Sequence, residues 1–182
     1  MDVSAGESSI GNWAIDPNTS VARFTMGYLV LATLKGTLGS IEGALVIDEA
    51  NHGRSAVEAS IGVATLNTGN SLRDRHLRSA DFFDVKRFPK VTFHSSRVEE
   101  VGVRLFRVVG ELTIRDVTRE VELDAAYDES IDESGNRRAR FTATTALSRR
   151  EFDLVRRGPI ETAGFIASDR VTVTLDIWAV AA

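Results

Sequence analysis

Val117-Thr-Arg-Glu-Val-Glu-Leu-Asp-Ala-Ala-Tyr127 is the cleanest alternating stretch of the chain. Val117, Val121, Leu123, Ala125 and Tyr127 fall on one face; Thr118, Glu120, Glu122 and Asp124 fall on the other. Strand side chains alternate with period two, so one dry and one wet face mark an antiparallel sheet. Immediately before it, Arg115-Asp116 has the length of a two-residue hairpin connection, and aspartate tolerates positive φ better than most residues. The hairpin leads back to a long strand over Val103–Ile114. Downstream, Asp128–Asn136 reads as a polar loop containing Gly135, and Arg137–Arg149 as another strand. Arg170–Val180 closes the chain, with Val171, Val173, Leu175 and Ile177 opposite Thr172, Thr174, Asp176 and Trp178. Arg150–Ala167 is irregular, broken by Gly158-Pro159.

The first half follows the same rule. Trp13–Pro17 is a short strand ended by a turn, because Asp-Pro favours turn initiation. Ser20–Tyr28 alternates, with Val21 and Arg23 on one face and Ala22 and Phe24 on the other. Tyr28–Leu34 is a continuous apolar run that periodicity leaves open between strand and helix. Lys35–Gly43 is a strand with three glycines, continued by Ala44–Asp48. Glu49–Gly53 is a turn, and Ser55–Asn67 a strand with Val57, Ala59, Ile61 and Val63 on one face. The result is an all-β chain of about eight strands, which a barrel or a sandwich would satisfy.

One stretch interrupts the alternation. Arg73–Ser95 holds two of the three histidines and four of the nine phenylalanines. A short helix is expected near residues 70–80, with Thr68, Asn70 or Ser71 as its cap. Leu72, His76 and Leu77 fall on its apolar side; Arg73, Asp74, Arg75 and Arg78 fill the rest. After Pro89 the alternation resumes, with Val91, Phe93 and Ser95 opposite Thr92, His94 and Ser96.

The bulk numbers set bounds. A chain of 182 residues with 43% hydrophobic and 26% charged residues suits one soluble globular domain, here residues 12–182 behind a disordered 1–11. A net charge of −4 argues against nucleic acid as a partner. With no cysteine there are no disulfides, thiolate metal sites or cysteine nucleophiles. The N-terminus has neither a basic n-region nor an apolar h-region, so a cytoplasmic protein is expected, with a processed secreted form left open. No apolar run approaches the length of about 18 residues that a membrane helix needs.

Several ordered blocks resemble the YceI-like family of lipocalin-like polyisoprenoid-binding proteins. Trp13–Pro17 followed by Ser20 is similar to its opening. Arg73–Asp84 with Phe88–Ser95 resembles its most specific signature. Gly110–Ile114 with Val117–Val121, Leu147–Phe152, and the closing Gly164–Trp178 resemble the remainder. Four positions depart: Gly27-Tyr28 stands where the family often has a basic residue and a histidine, and Asp116 and Asp153 stand where it often has glycine. The resemblance implies an extended antiparallel lipocalin-like barrel with a long amphiphile in its bore. Ten-residue strands span on the order of 33 Å, and a tilt of about 40° leaves a bore about 25 Å deep. Each methylene buried there contributes roughly 0.8 kcal/mol.

The expected function is therefore binding, with carriage or storage, of a polyisoprenoid or other long-chain lipid. The residues expected to line or cap the bore are Phe24, Tyr28, Leu31, Leu38, Leu45, Leu72, Phe82, Phe83, Phe93, Leu105 and Phe141. Glycines 36, 39 and 43 and the alanines 59, 125, 143 and 146 leave volume unfilled, which favours a hollow interior. His76 is read two ways: with Arg73, Arg75 and Arg78 it receives an anionic head group, or it packs the helix against the barrel mouth. Asp74 is expected to pair with an arginine. His52 lies in a turn and His94 faces solvent, so no metal site and no cofactor other than a bound isoprenoid or fatty lipid is expected. The chain holds no Gly-x-Ser-x-Gly elbow, His-Glu-x-x-His motif or Walker loop, and it is not expected to be an enzyme. Two alternatives stay open: an enzyme using His76 as acid and base, and a filled barrel serving as a protein-interaction module. The basic runs Arg137-Arg138, Arg149-Arg150 and Arg156-Arg157 suggest transient contact with an anionic membrane surface. A homodimer is a further open expectation.

Overall fold

The computed structural model describes residues 10–28, 32–155 and 167–182. Among them are ten strands and one helix: β1 Ile10–Ile15, β2 Val21–Tyr28, β3 Ala32–Leu38, β4 Ile41–Asp48, β5 Ala56–Gly62, α1 Ser71–Arg78, β6 Lys90–Gly102, β7 Leu105–Ile114, β8 Val117–Ile131, β9 Arg137–Ser148 and β10 Ala167–Ala181. Every pairing is antiparallel, and the sheet closes through β1 and β10.

Ten strands build eight staves. β1 and β2 lie end to end along β10: Trp13 to Ile15 face Ala181 to Ala179, and Val21 to Tyr28 face Asp176 to Ala167. β3 and β4 follow them as the next stave, pairing with β2 and β1. Each stave is broken once, and each break reverses which parity points inward. In β3 the inward partners of Ala22 and Phe24 are Leu38 and Gly36; in β4 the inward residues are Ile41 and Leu45, with Leu45 opposite Trp13 of β1. The single strand expected over Lys35–Asp48 is therefore two, separated at Gly39-Ser40, where Ser40 takes φ 52°. Without that break every β4 side chain would change face. In the first stave the interruption is bridged by Ser20. Its buried hydroxyl donates to the Trp178 carbonyl (3.2 Å) and accepts from the Trp178 N–H (3.0 Å).

Other boundaries shift for local reasons. β1 begins at Ile10, inside the stretch expected to be disordered, because Ile10 and Gly11 pair with Asp48 and Ile47. β8 runs on to Ile131, since Asp128–Ile131 pair with Arg140–Arg137; the loop is confined to residues 132–136, where Asp132 accepts two backbone N–H bonds. β5 stops at Gly62 and a 3₁₀ turn at Val63–Thr65 follows. In the β7–β8 hairpin it is Arg115, not Asp116, that takes positive φ (58°). Asp153 does occupy the left-handed region (φ 56°, ψ 27°), a conformation that glycine adopts most freely and aspartate tolerates.

Asn70 is the helix cap, its side chain accepting from the Arg73 N–H at 3.0 Å. The expected helix faces are partly exchanged. Leu72 is 72% exposed, whereas Asp74 is 6% exposed. Asp74 is held inward because its carboxylate accepts from both the N–H and the hydroxyl of Thr68; among the described residues it pairs with no arginine.

Most of the buried apolar residues group into three clusters, which half-buried neighbours such as Val57, Ile61 and Val121 join. One surrounds Trp13, Ile41, Leu45 and Ile177, one surrounds Val63, Val91, Ile114 and Phe152, and one holds Phe93, Val98 and Val108. On the outer face, Arg140 chelates Asp176 through Nε (2.9 Å) and Nη2 (2.8 Å). That bond, followed by the charge of Arg140, holds the Asp176 carboxyl below the ordinary aspartate value. A depressed native pKa stabilises the fold above the unfolded value near 3.8 and is lost as pH falls through the native one. Acid titration of Asp176→Asn is expected to lose less stability below about pH 4 than the parent chain. Parallel acid limbs would show that the pair contributes nothing.

Candidate functional site

The candidate site is the inner wall of the barrel and the segment that covers its upper rim. Inner and outer faces follow from register. Ile114 pairs with Val117 across the tight hairpin, so Phe106, Val108, Gly110 and Leu112 share the face of Ala125, Leu123, Val121 and Arg119. Continuing round the sheet, Ala125 pairs with Ala143, Ala143 with Leu175, and Leu175 with Ala22. Small residues thus recur on the inner wall. An eight-stranded barrel is just wide enough to be filled by its own side chains or to hold one small ligand, and side-chain size decides which.

Two phenylalanines lie along the wall. A Cβ at Gly36 would fall 2.2 Å from the Phe24 ring, and one at Gly110 would fall 2.6 Å from Phe93 and 2.4 Å from the His94 carbonyl. Glycine on the neighbouring strand therefore lets each ring lie flat rather than project into the interior, an arrangement known to pin register. Phe141 stacks on Tyr127 at 5.0 Å. Burial, then the hydrogen bond to Glu129, push the Tyr127 phenol well above its ordinary pKa. Glu129 also pairs with Arg137 (2.8 Å), whose guanidinium lies 5.3 Å from the Trp13 ring. This polar group lies near the end of the barrel at which β8 turns into β9.

The other end is covered by residues 63–89. Thr37 and Asn67 exchange two backbone hydrogen bonds (2.8 and 2.9 Å), and the Thr65 hydroxyl bonds both the Gly39 N–H and its carbonyl. The free edge of β3 is thereby joined to the segment carrying α1. Phe83 and Val85 pack against the cluster of Val63, Val91, Ile114, Phe152 and Leu154.

The expected lining residues distribute unevenly. Phe24, Leu38, Phe93 and Phe141 are on inner faces. Leu45 is inside but fully packed among Trp13 and Ile41. Phe82 and Phe83 are half-buried in the covering segment. Leu105 is corrected: it is 50% exposed at the start of β7, and Phe106 occupies the inward position. The hairpin register contained that signal, since placing Ile114 opposite Val117 puts Phe106 opposite Ala125. Leu72 is corrected likewise, pointing to solvent. Ala146 is exposed on the outer face and leaves no inner volume. Leu31 lies outside the described residues, and Tyr28 is described only through its backbone pairing with Ala32 and Ala167.

Arg73 and His76 each have a neighbour of their own, and the groove lined by Arg75 and Arg78 does not include them. Arg73 is spent on Thr68, donating to its hydroxyl and carbonyl at 2.8 Å each. His76 sets its ring edge-on to Phe82 at 5.3 Å. Of the basic runs, Arg137 and Arg138 pair with Glu129 and Asp16, and Arg149 donates to the Ser168 carbonyl. Arg156-Arg157 lie outside the described residues. His94 faces outward, 3.5 Å from Glu58, and His52 is in the 3₁₀ turn after β4.

The fold is thus a closed antiparallel barrel of eight staves with small residues and two flattened rings on its inner wall. The chain belongs to the YceI-like domain family, whose model matches residues 13–179. It is 33% identical to a UPF0312 protein of Ectopseudomonas mendocina over 94% of this chain and 88% of that one. Among solved structures, BcnA of Burkholderia cenocepacia superposes with a TM-score of 0.77 at 19% identity, covering 90% of this chain and 98% of BcnA. A polyisoprenoid binding domain from Saccharophagus degradans, implicated in plant cell wall breakdown, gives 0.69 at 16% identity, covering 93% and 98%.

Proposed function

We propose that this chain binds, and carries or stores, a polyisoprenoid or similar long-chain amphiphile inside its barrel. One observation supports this most. Val57, Ala59, Ile61, Leu123, Ala125 and Leu175 belong to inner faces yet remain only half-buried. Residues walled in on both sides lose that exposure if the interior is solid, because protein cores are close-packed. The family membership and the polyisoprenoid binding domain of like fold add support. Affinity would come from buried methylenes at roughly 0.8 kcal/mol each, which needs no catalytic group.

The test is direct. Protein purified without detergent is extracted into organic solvent for mass spectrometry, and the stripped protein is titrated with a long prenol. A co-purifying long-chain lipid and saturable prenol binding are expected. Clean extracts together with a flat titration would sink the proposal.

A further inference from the structure

The covering segment folds around a groove of about 1100 Å³ that is separate from the inner wall. Its lining includes Asn70 and Ser71 at the start of α1, Arg75 and Arg78 along it, and Asp84 and Lys86 from the returning chain. The groove's carboxylates are already engaged. Asp74 is held by Thr68, and the buried Asp84 has Arg87 at 3.6 Å. The cations are not. Among the described residues, Arg75, Arg78 and Lys86 have no carboxylate within 4.0 Å. Arg78 donates one terminal nitrogen to the Leu66 carbonyl; its Nε is buried without a hydrogen-bond partner, as are those of Arg107 and Arg115 outside the groove. At the other end of the barrel, by contrast, Arg97, Arg104, Arg137 and Arg138 all pair with acids.

Three cations face one concavity against two carboxylates, of which Asp84 is ion-paired with Arg87 and Asp74 is turned to Thr68, and the excess of positive charge favours an anion. Arginine's planar fork matches phosphate oxygens, and lysine adds a point charge. We propose that this groove binds a phosphoryl group. Its position at the barrel rim is set by Val85, which lines the groove and packs against the Val63 and Phe152 cluster. On the same helix the exposed Leu72 offers an apolar contact. The phosphoryl group comes either from free phosphate or diphosphate or from a phospholipid head group. The site stands on its own residues; only its use in loading lipid rests on the carrier proposal.

The test uses the full chain and the paired substitution Arg75→Gln with Lys86→Gln. Both residues are exposed, so the fold is expected to persist. The control is Arg97→Gln with Arg104→Gln, which removes the same charge at the far end. Inorganic diphosphate is titrated while backbone amide shifts are followed, and sedimentation is compared with vesicles of phosphatidylglycerol and of phosphatidylcholine. Saturable shifts confined to residues 65–86, weakened at least tenfold by the groove pair and not by the control, are expected if free phosphate is the source. Selective sedimentation with phosphatidylglycerol, lost tenfold in the groove pair alone, identifies a head group. Equal losses in both variants, or no binding of either probe, overturn the site. Prenol titration of the same proteins is scored separately, so failure of carriage and failure of the anion site are told apart.

Discussion

Ala125→Trp is expected to give a folded barrel that has lost most of its affinity for a long prenol. Ala125 sits on the inner wall between Ala143 and Phe106, and its side chain is only half-buried. An indole there enters the space assigned to the ligand. If it displaces about four methylenes, the loss is about 3 kcal/mol, or roughly 200-fold in affinity. The effect on stability is of the opposite kind to a cavity mutation. Overpacking a solid core costs about 1–3 kcal/mol, whereas filling existing space costs less. Prenol titration and thermal melting therefore read two different outcomes. A folded variant with unchanged affinity places the lipid elsewhere; a variant that binds poorly only because it has melted argues that the interior was already full.

Trp13→Ala is expected to have the largest effect on stability, a loss of about 3–5 kcal/mol by denaturant unfolding. Trp13 is 2% exposed and lies between Leu45 on β4 and Ala181 on β10. Gly11 leaves room for its ring, since a Cβ there would approach the indole Nε1 to 2.8 Å. The position matters because β1 closes the barrel with only Trp13, Ala14 and Ile15 in register with β10. Removing the indole leaves a void beside that short seam. Trp13→Phe is expected to recover most of the loss by refilling it. A cost below about 1 kcal/mol for the alanine variant would show that the seam is held by its backbone bonds and by Ser20 instead.

Local pattern carried much of this outcome. The alternation of Val117–Tyr127 needs no distant partner, because a two-residue connection leaves one register for its neighbour. From it follow β7, β8 and the inward direction of Phe106. The helix was legible from spacing and from the cap candidates Thr68, Asn70 and Ser71, but its buried face was not. Hydrophobicity placed Leu72 inside and Asp74 outside. The tertiary structure reverses them, because Thr68 offers Asp74 two donors and no apolar surface is packed over Leu72.

The antiparallel strands, their approximate number, the inserted helix and the family can be read without any tertiary contact. All of these rest on residues adjacent in the chain or on ordered blocks along it. Tertiary structure alone decided how those strands close. Ser20 and Trp178, 158 positions apart, join where one stave is handed from β1 to β2. A single left-handed residue, Ser40, decides which face of β4 turns inward. Closure selects partners by geometry across the whole chain, and no window of sequence contains both sides of such a contact.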